Sequence, residues 1–316
     1  MECKEIGIFP CDKYEIIQKI YFKYKNSRRL KKGNILICVK QLCLIAGVSI
    51  SGYYKWKSTE DIRKERSAKE LFYFELINNI FRNHGETVGF RTIVMELKQQ
   101  HSIIMNHKKV IRLMKKYRLK CTIRRKKAYG SNFDENRIEH TYPNLINSKF
   151  DCVKPYCVLH TDITYIKFAF GSKTAYLSAI KDQTTREILA YKISKSLEVS
   201  FVIETIKDLK SYSLDENVII HSDQGVHYSS KKYNEITTNL GLSASMSRRG
   251  KCVDTATIES FFGHMKDEVN FKVFQTFEEI VEIIDRYIYY YNNYRHQWTL
   301  KKMTPIEYRN HLLGVA

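Results

Sequence analysis

HSDQGVHYSS (His221–Ser230) and SMSRRGKCVDTATIESFFGHMK (Ser245–Lys266) decide the reading of this chain. Between them they carry Asp223 and Glu259, 36 positions apart. NVIIHSD, residues 217–223, is a short apolar run that ends on the aspartate, the pattern of a buried strand. TIESFFGHMKDEV, residues 257–269, reads as a helix, with Phe261 and Phe262 turned towards a sheet. Lys266 stands seven residues past Glu259 and so shares its helical face. Asp254 has a side-chain acceptor suited to the helix start. Gly225 suits a tight turn after Asp223.

Working outward, the upstream segment YCVLHTDITYIKF (156–168) alternates as a strand does, placing Val158, His160, Asp162 and Thr164 on one face. TAYLSAIKDQ and EILAYKIS follow as two more strands around a polar turn at Thr184–Arg186. Residues 198–211 and Lys231–Leu240 read as helices, and LSASMS as a last strand. Three strands followed by alternating helices and strands predict an α/β domain built on one mixed five-stranded sheet. Asp162 falls inside the first strand and Asp223 at the end of the fourth, and open sheets commonly build sites at strand ends.

An aspartate inside an apolar strand is costly unless it is paired or metal-bound. Two carboxylates about 4 Å apart repel by roughly 4 kcal/mol at an effective dielectric of about 20. Three acids converging on one point therefore call for cations. Hard oxygen ligands favour Mg²⁺, with Mn²⁺ able to substitute. Asp162, Asp223 and Glu259 are accordingly expected to be both catalytic and metal-holding. Taken singly, each has a plainer reading: an Asp after a strand is a turn residue, and a Glu on a helix is solvated. His221 and His227 flank Asp223. They could be zinc ligands, but no Cys pair closes such a site, and packing or hydrogen-bonding roles suit them better.

Charge divides the chain. Residues 1–150 hold 32 Lys/Arg against 14 Asp/Glu, whereas residues 151–316 hold 21 against 20. Such asymmetry points to a half that binds a polyanion. His101–Gly130 contains 11 basic residues and no acidic one. Within it MNHKKVIRLMKKYRLK predicts a helix capped by Asn106, with Val110, Met114 and Tyr117 inward. Lys108, Lys109, Arg112, Lys115 and Lys116 are left outside as DNA-contact candidates. Arg124, Arg125, Lys126 and Lys127 extend them as a cationic arm. Arg248 and Arg249, in the loop before the glutamate helix, and Lys266 complete the set. A solvated helix face and a loose linker would carry the same charges.

The first basic region reads as a helix over 14–33. A second helical pair follows, with Leu42, Ile45 and Ala46 on one face, Gly47 at the turn and Ser49 as a cap. Tyr53, Tyr54 and Trp56 are expected to anchor it. Helix, glycine turn, capped helix is the helix-turn-helix plan, although many α-hairpins share it. Residues 61–84 predict an amphipathic helix using Leu71, Phe72, Phe74, Leu76, Ile77, Ile80 and Phe81. Arg91–Gln100 forms the partner of the Asn106-capped helix. The tyrosines of DRYIYYYNNYRHQW (285–298) belong to a long C-terminal helix and are mostly core. The expected divisions are a helix-turn-helix-like segment at 1–60, a second at 61–130, a linker at 131–148 and an α/β core at 149–312.

Eight cysteines are spread along the chain without a CxxC pair, which argues against a structural zinc site and for reduced thiols in a cytoplasmic protein. No apolar run approaches the roughly 18 residues of a membrane span, and the first residues do not resemble a signal peptide.

LHTDITYI, HSDQGVHYSS, SMSRRGKCVDTATIESFFGHMKDE and YYNNYRHQWTLKKMTPIEYR together resemble the transposases of the insertion-sequence-three (IS3) group, orfB-type products with a retroviral-integrase-like catalytic core. The family's two aspartates and glutamate fall on Asp162, Asp223 and Glu259. VGFRTI and NHKKVIRLMKKYRLKC resemble the helix-turn-helix segment that precedes that core. The resemblance covers nearly the whole chain. It implies a ribonuclease-H-like fold, Mg²⁺, and cutting and joining of DNA at element ends. Further implied are binding to terminal repeats and target DNA, a homo-oligomer on DNA, and a partner encoded by an upstream overlapping frame. The chain departs from the family at Leu159, where a Trp is usual, at Asp254–Ala256, where Asp-Asn-Ala is usual, and at Val88 and Thr92. These departures motivate a rival expectation: a DNA-binding protein with a degenerate core, acting as an inhibitor or repressor of transposition.

Overall fold

A computed structural model describes residues 9–25, 38–122, 141–146, 154–215, 217–247 and 256–315. They fall into two compact units, Met1–Leu76 and Ile77–Ala316.

In the first unit, α1 spans Pro10–Lys25, α2 Val39–Ile45 and α3 Ile50–Ser58; α4 (Glu60–Asn83) begins there. Gly47 adopts a φ of 63°, as the turn between α2 and α3 requires. Ser49 caps α3 by accepting a hydrogen bond from the Gly52 amide. The small core is Ile17, Cys43 and Tyr53, with Leu42, Ala46 and Trp56 packed around it. Two expectations need correcting. Ile45 is 82% exposed and Tyr54 53% exposed. The helix is rotated so that Cys43, which is as apolar in packing as a small aliphatic residue, takes the inward position instead. On α4, likewise, Ile77, Ile80 and Phe81 are buried while Leu71 and Phe72 face solvent.

The second unit opens with α5 (Phe90–His101) and α6 (His107–Lys116). Ile93, Val94, Met95 and Leu97 of α5 and Val110, Leu113 and Met114 of α6 are buried. Asn106 caps α6 by accepting from the Lys108 amide at 2.8 Å. Tyr117 lies at the C-cap and is half-buried, and Leu113 fills the inward position beside Met114.

The sheet comprises β1 (Val158–Phe168), β2 (Lys173–Asp182), β3 (Ile188–Ser194), β4 (Ile219–Ser222) and β5 (Ser243–Met246). Its order is β3-β2-β1-β4-β5. β1–β2 and β2–β3 are antiparallel, and β1–β4 and β4–β5 are parallel, so the sheet is mixed. The β2–β3 hairpin follows from the short polar turn at residues 183–187, and β1 and β2 are joined by the short Ala169–Gly171 turn. The parallel pairs require crossovers, supplied by α7 (Val199–Lys207) and α8 (Lys231–Asn239). Three more helices, α9 (Ala256–Glu268), α10 (Phe277–Asn293) and α11 (Pro305–Leu313), complete the domain.

Side-chain alternation along β1 feeds two cores. Ile166 and Phe168 join Ala175, Leu177 and Ala179 under α9 and α10. Leu159 joins Ile180, Ile220 and Met246 against Phe201, Val202 and Tyr233 of α7 and α8. Of the C-terminal tyrosines, Tyr287 and Tyr291 are core, but Tyr289 and Tyr294 face outward.

Candidate active site

Asp162 sits at the middle of β1, directly opposite Ala179 of β2. Being an even-numbered strand position, it shares a face with Thr164, Ile166 and Phe168, the face covered by α9. Its Oδ1 accepts a hydrogen bond from the Ile163 amide at 2.7 Å. The residue is half-buried, and its carboxyl group lies deeper than the residue as a whole. Burial is the main reason its pKa rises to about 8, with Asp223 and Glu259 adding like charge and Lys266 opposing them.

Asp223 follows the last residue of β4, which runs parallel beside β1. The Gly225 amide donates to Asp223 Oδ1 at 2.8 Å. That bond closes a turn so tight that a Cβ on Gly225 would lie 2.8 Å from the same oxygen. The glycine is needed here for close approach rather than for a left-handed φ. Burial raises the Asp223 pKa, while the Gly225 amide and His227 hold it down.

Glu259 stands in the first turn of α9, where the helix dipole favours an acid. It is exposed. α9 is anchored by Ile258, Phe261, Phe262 and Met265. At its far end Lys266 Nζ donates to Thr164 Oγ1, which ties that end of the helix to the strand that carries Asp162. The helix period carries Lys266 to the β1 face holding Asp162 and Thr164, and Glu259 adds like charge at Asp162. Among the described residues, no three His, Cys, Asp or Glu side chains come together as a group that could hold a metal ion. The three carboxylates instead couple electrostatically through Asp162.

Both histidines find protein partners. His221 Nδ1 lies 2.9 Å from Ser245 Oγ, and His227 Nε2 lies 3.4 Å from the Leu197 carbonyl. His160 meets Gln183 at 2.9 Å and packs edge-on against His221.

On α6, Lys108, Arg112, Lys115 and Lys116 are exposed and Lys109 is half-buried. Arg124, Arg125, Lys126, Lys127, Arg248, Arg249 and Asp254 lie outside the described residues. Two groups near the site were passed over in the sequence. Tyr228 is fully buried, and its phenol pKa is driven well up by burial and then by Asp162 and Asp223. Lys181 is a lysine inside the apolar run YLSAIKD, and that misplaced charge is the signal that could have found it.

A family described as integrase core domain matches residues 153–252, and a second so described matches 259–313. A family described as HTH-like domain matches 68–127. The chain is 35% identical over 261 residues to the InsK transposase assigned to insertion sequence element IS150 of Escherichia coli K12, covering 82% of this chain and 88% of that one. It is 36% identical over 223 residues to an uncharacterized transposase-like protein of Haemophilus influenzae, covering 70% of this chain and all of that one. To the InsF transposase of insertion sequence IS3A of Escherichia coli K12 it is 25% identical over 247 residues, covering 76% and 82%. No described helix is long and apolar enough to cross a membrane.

Proposed function

This chain belongs to the transposases of IS3-type and related insertion sequences, and from that premise we propose that Asp162, Asp223 and Glu259 carry out its DNA cleavage and joining. The observation that carries this reading is the placement of Asp162 on β1 beside the parallel strand β4 that leads into Asp223, with Glu259 in the first turn of the helix packed on the same sheet. A carboxyl group lifted to about 8 by burial and two like charges is a donor in need of a cation. Three oxygen donors of this kind fit Mg²⁺ or Mn²⁺ and suit neither a thiol-seeking ion nor a redox centre. Divalent cations held there supply charge neutralisation and Lewis-acid activation for in-line displacement at a phosphodiester.

The protein's own part is placement. β1 and β4 present the two aspartates from adjacent parallel strands, and α9 brings the glutamate across the face. Water attacks the phosphodiester at the element end. The scissile P–O bond breaks and leaves a free 3′-hydroxyl. That hydroxyl then attacks a second phosphodiester, so one bond forms as one breaks and no protein–DNA covalent link intervenes. Lys266, beside Thr164, offers positive charge to the DNA backbone at this face. The cations of α6 hold DNA through phosphate contacts, each adding salt-sensitive affinity. Terminal repeats and target DNA are its substrates, handled by copies of the chain assembled on the DNA.

Strand transfer on terminal-repeat DNA with Mg²⁺, with and without Glu259→Gln, tests the proposal. The variant is expected to bind DNA normally and to lose cleavage and joining by about 100-fold or more. Equal activity in the two proteins would reject the assigned chemistry. The rival reading, a DNA-binding repressor with an inert core, requires instead that the unaltered protein bind the repeats but show no metal-dependent cutting.

A further inference from the structure

Among the described residues Lys181 is the most deeply placed lysine or arginine, only 2% exposed. It sits on β2 directly opposite His160 of β1, one residue pair along the same sheet face from Asp162. A buried lysine ordinarily needs an acidic partner. Here Nζ donates instead to the backbone carbonyl of Thr257 on α9, at 2.8 Å. The rings of Phe261 and Tyr291 flank it, with centroids 5.9 and 5.6 Å away. Thr257 is gripped a second time: Arg186, in the turn between β2 and β3, donates from Nη1 to Thr257 Oγ1 at 2.8 Å.

Thr257 lies two residues before Glu259, in the same first turn of α9. Glu259 is exposed, so burial of its own side chain does not locate it. What locates it is the seat of the helix. Two cations at a helix N-terminus oppose the helix dipole and are unfavourable there on electrostatic grounds alone. Burial and the nearby Arg186 and Arg295 also hold the lysine pKa well below its ordinary value, so the arrangement costs stability. An apolar side chain of similar length would fill the same slot without that cost. The hydrogen bond to Thr257 is what the lysine adds and an apolar residue would not.

We propose that Lys181, assisted by Arg186, is a positioning residue: a strut from the interior strand β2 of the catalytic sheet that fixes the first turn of α9 and thereby sets Glu259 against Asp162. It is the counterpart of the Lys266–Thr164 bond at the other end of the same helix. The inference rests on the catalytic reading of Glu259 given above.

Lys181→Met tests it in the full-length chain, since methionine keeps the length and removes the donor. The expected variant melts no lower than the parent and binds terminal-repeat DNA with KM within about twofold of it. Its cleavage turnover falls roughly ten- to 100-fold, as misplacement of a catalytic group by a fraction of an ångström requires. Amide hydrogen exchange in residues 256–262 speeds up about tenfold, while exchange in the sheet stays unchanged. Unchanged turnover together with unchanged exchange in α9 would overturn the proposal. A loss confined to melting temperature, with turnover per folded molecule intact, would also overturn it. If Lys181→Met fails to fold, Arg186→Gln and Thr257→Val each remove only the second grip. Both are expected to lower turnover at constant KM, and parental turnover in both rejects the strut. Glu259→Gln separates the two levels: full activity in that variant sinks the catalytic reading, and the exchange measurement then decides the strut by itself.

Discussion

Gly225 shows how little room the site allows a single residue. Its amide holds Asp223 Oδ1 at 2.8 Å, and an added Cβ would press on that same oxygen at 2.8 Å. Gly225→Ala is expected to swing the Asp223 carboxylate away and cut metal-dependent cleavage about tenfold or more, with melting temperature nearly unchanged; cleavage rate beside a thermal melt checks it. His160 sets a pH dependence of stability. Burial, with His221 adding to it, lowers its pKa from 6.5 to about 4, against the opposing hydrogen bond that its Nε2 makes to Gln183 Oε1. The folded state therefore resists a proton that the unfolded chain accepts. Stability is present above about pH 6.5 and is lost as pH falls towards about 4, a difference of about 3 kcal/mol at the full shift. Asp162 works in the opposite sense, because its raised pKa favours the protonated folded form at low pH. Melting temperatures of the parent and His160→Gln between pH 7 and pH 4 isolate the histidine: the gap between them should narrow as pH falls. A constant gap would mean that His160 is not held neutral.

At the scale of elements, the helices owe their starts to side chains that are readable one by one. Ser49, Asn106, Thr276 and Thr304 each accept from a backbone amide in the first turn of the helix they precede. For α6 the cap also aims a cationic face, since the same helix buries Val110, Leu113 and Met114 and leaves Lys108, Arg112, Lys115 and Lys116 outside. Asn106→Ala should cost about 1 kcal/mol in a denaturant melt and weaken DNA binding, whereas Asn106→Asp should keep the fold. Equal stability of the alanine variant would show that packing alone starts the helix. The strands are arranged differently. Asp162 and Asp223 come from strands that pair in parallel, and that pairing depends on where α7 crosses back, not on either strand's own residues.

At the scale of the whole molecule, charge is partitioned between the halves of the chain. The first 150 residues carry nearly all of the net charge of +19. DNA affinity is therefore expected to fall steeply with salt, and replacing Lys115 and Lys116 by Gln should lower the slope of log affinity against log salt by about 2. Binding isotherms between 50 and 200 mM salt measure this. A slope unchanged by the double substitution would remove α6 from the DNA-contact surface.

Local pattern was enough to determine the elements and their order. The alternation around Asp162, the apolar run ending at Asp223 and the helical period around Glu259 are short-range signals, each set by a side chain's own neighbours in sequence. The mixed five-stranded sheet and the helix-turn-helix-like segments followed from them. Local pattern misjudged Ile45, Tyr54, Leu71 and Phe72, because an apolar residue on a short helix has two plausible inward faces and only the neighbouring element selects one. It also could not reveal that Lys181 reaches Thr257, 76 positions away, or that burial and two other acids lift Asp162 to about 8. Those are properties of desolvation and of through-space distance, and they exist only once β1, β2, β4 and α9 have been brought together.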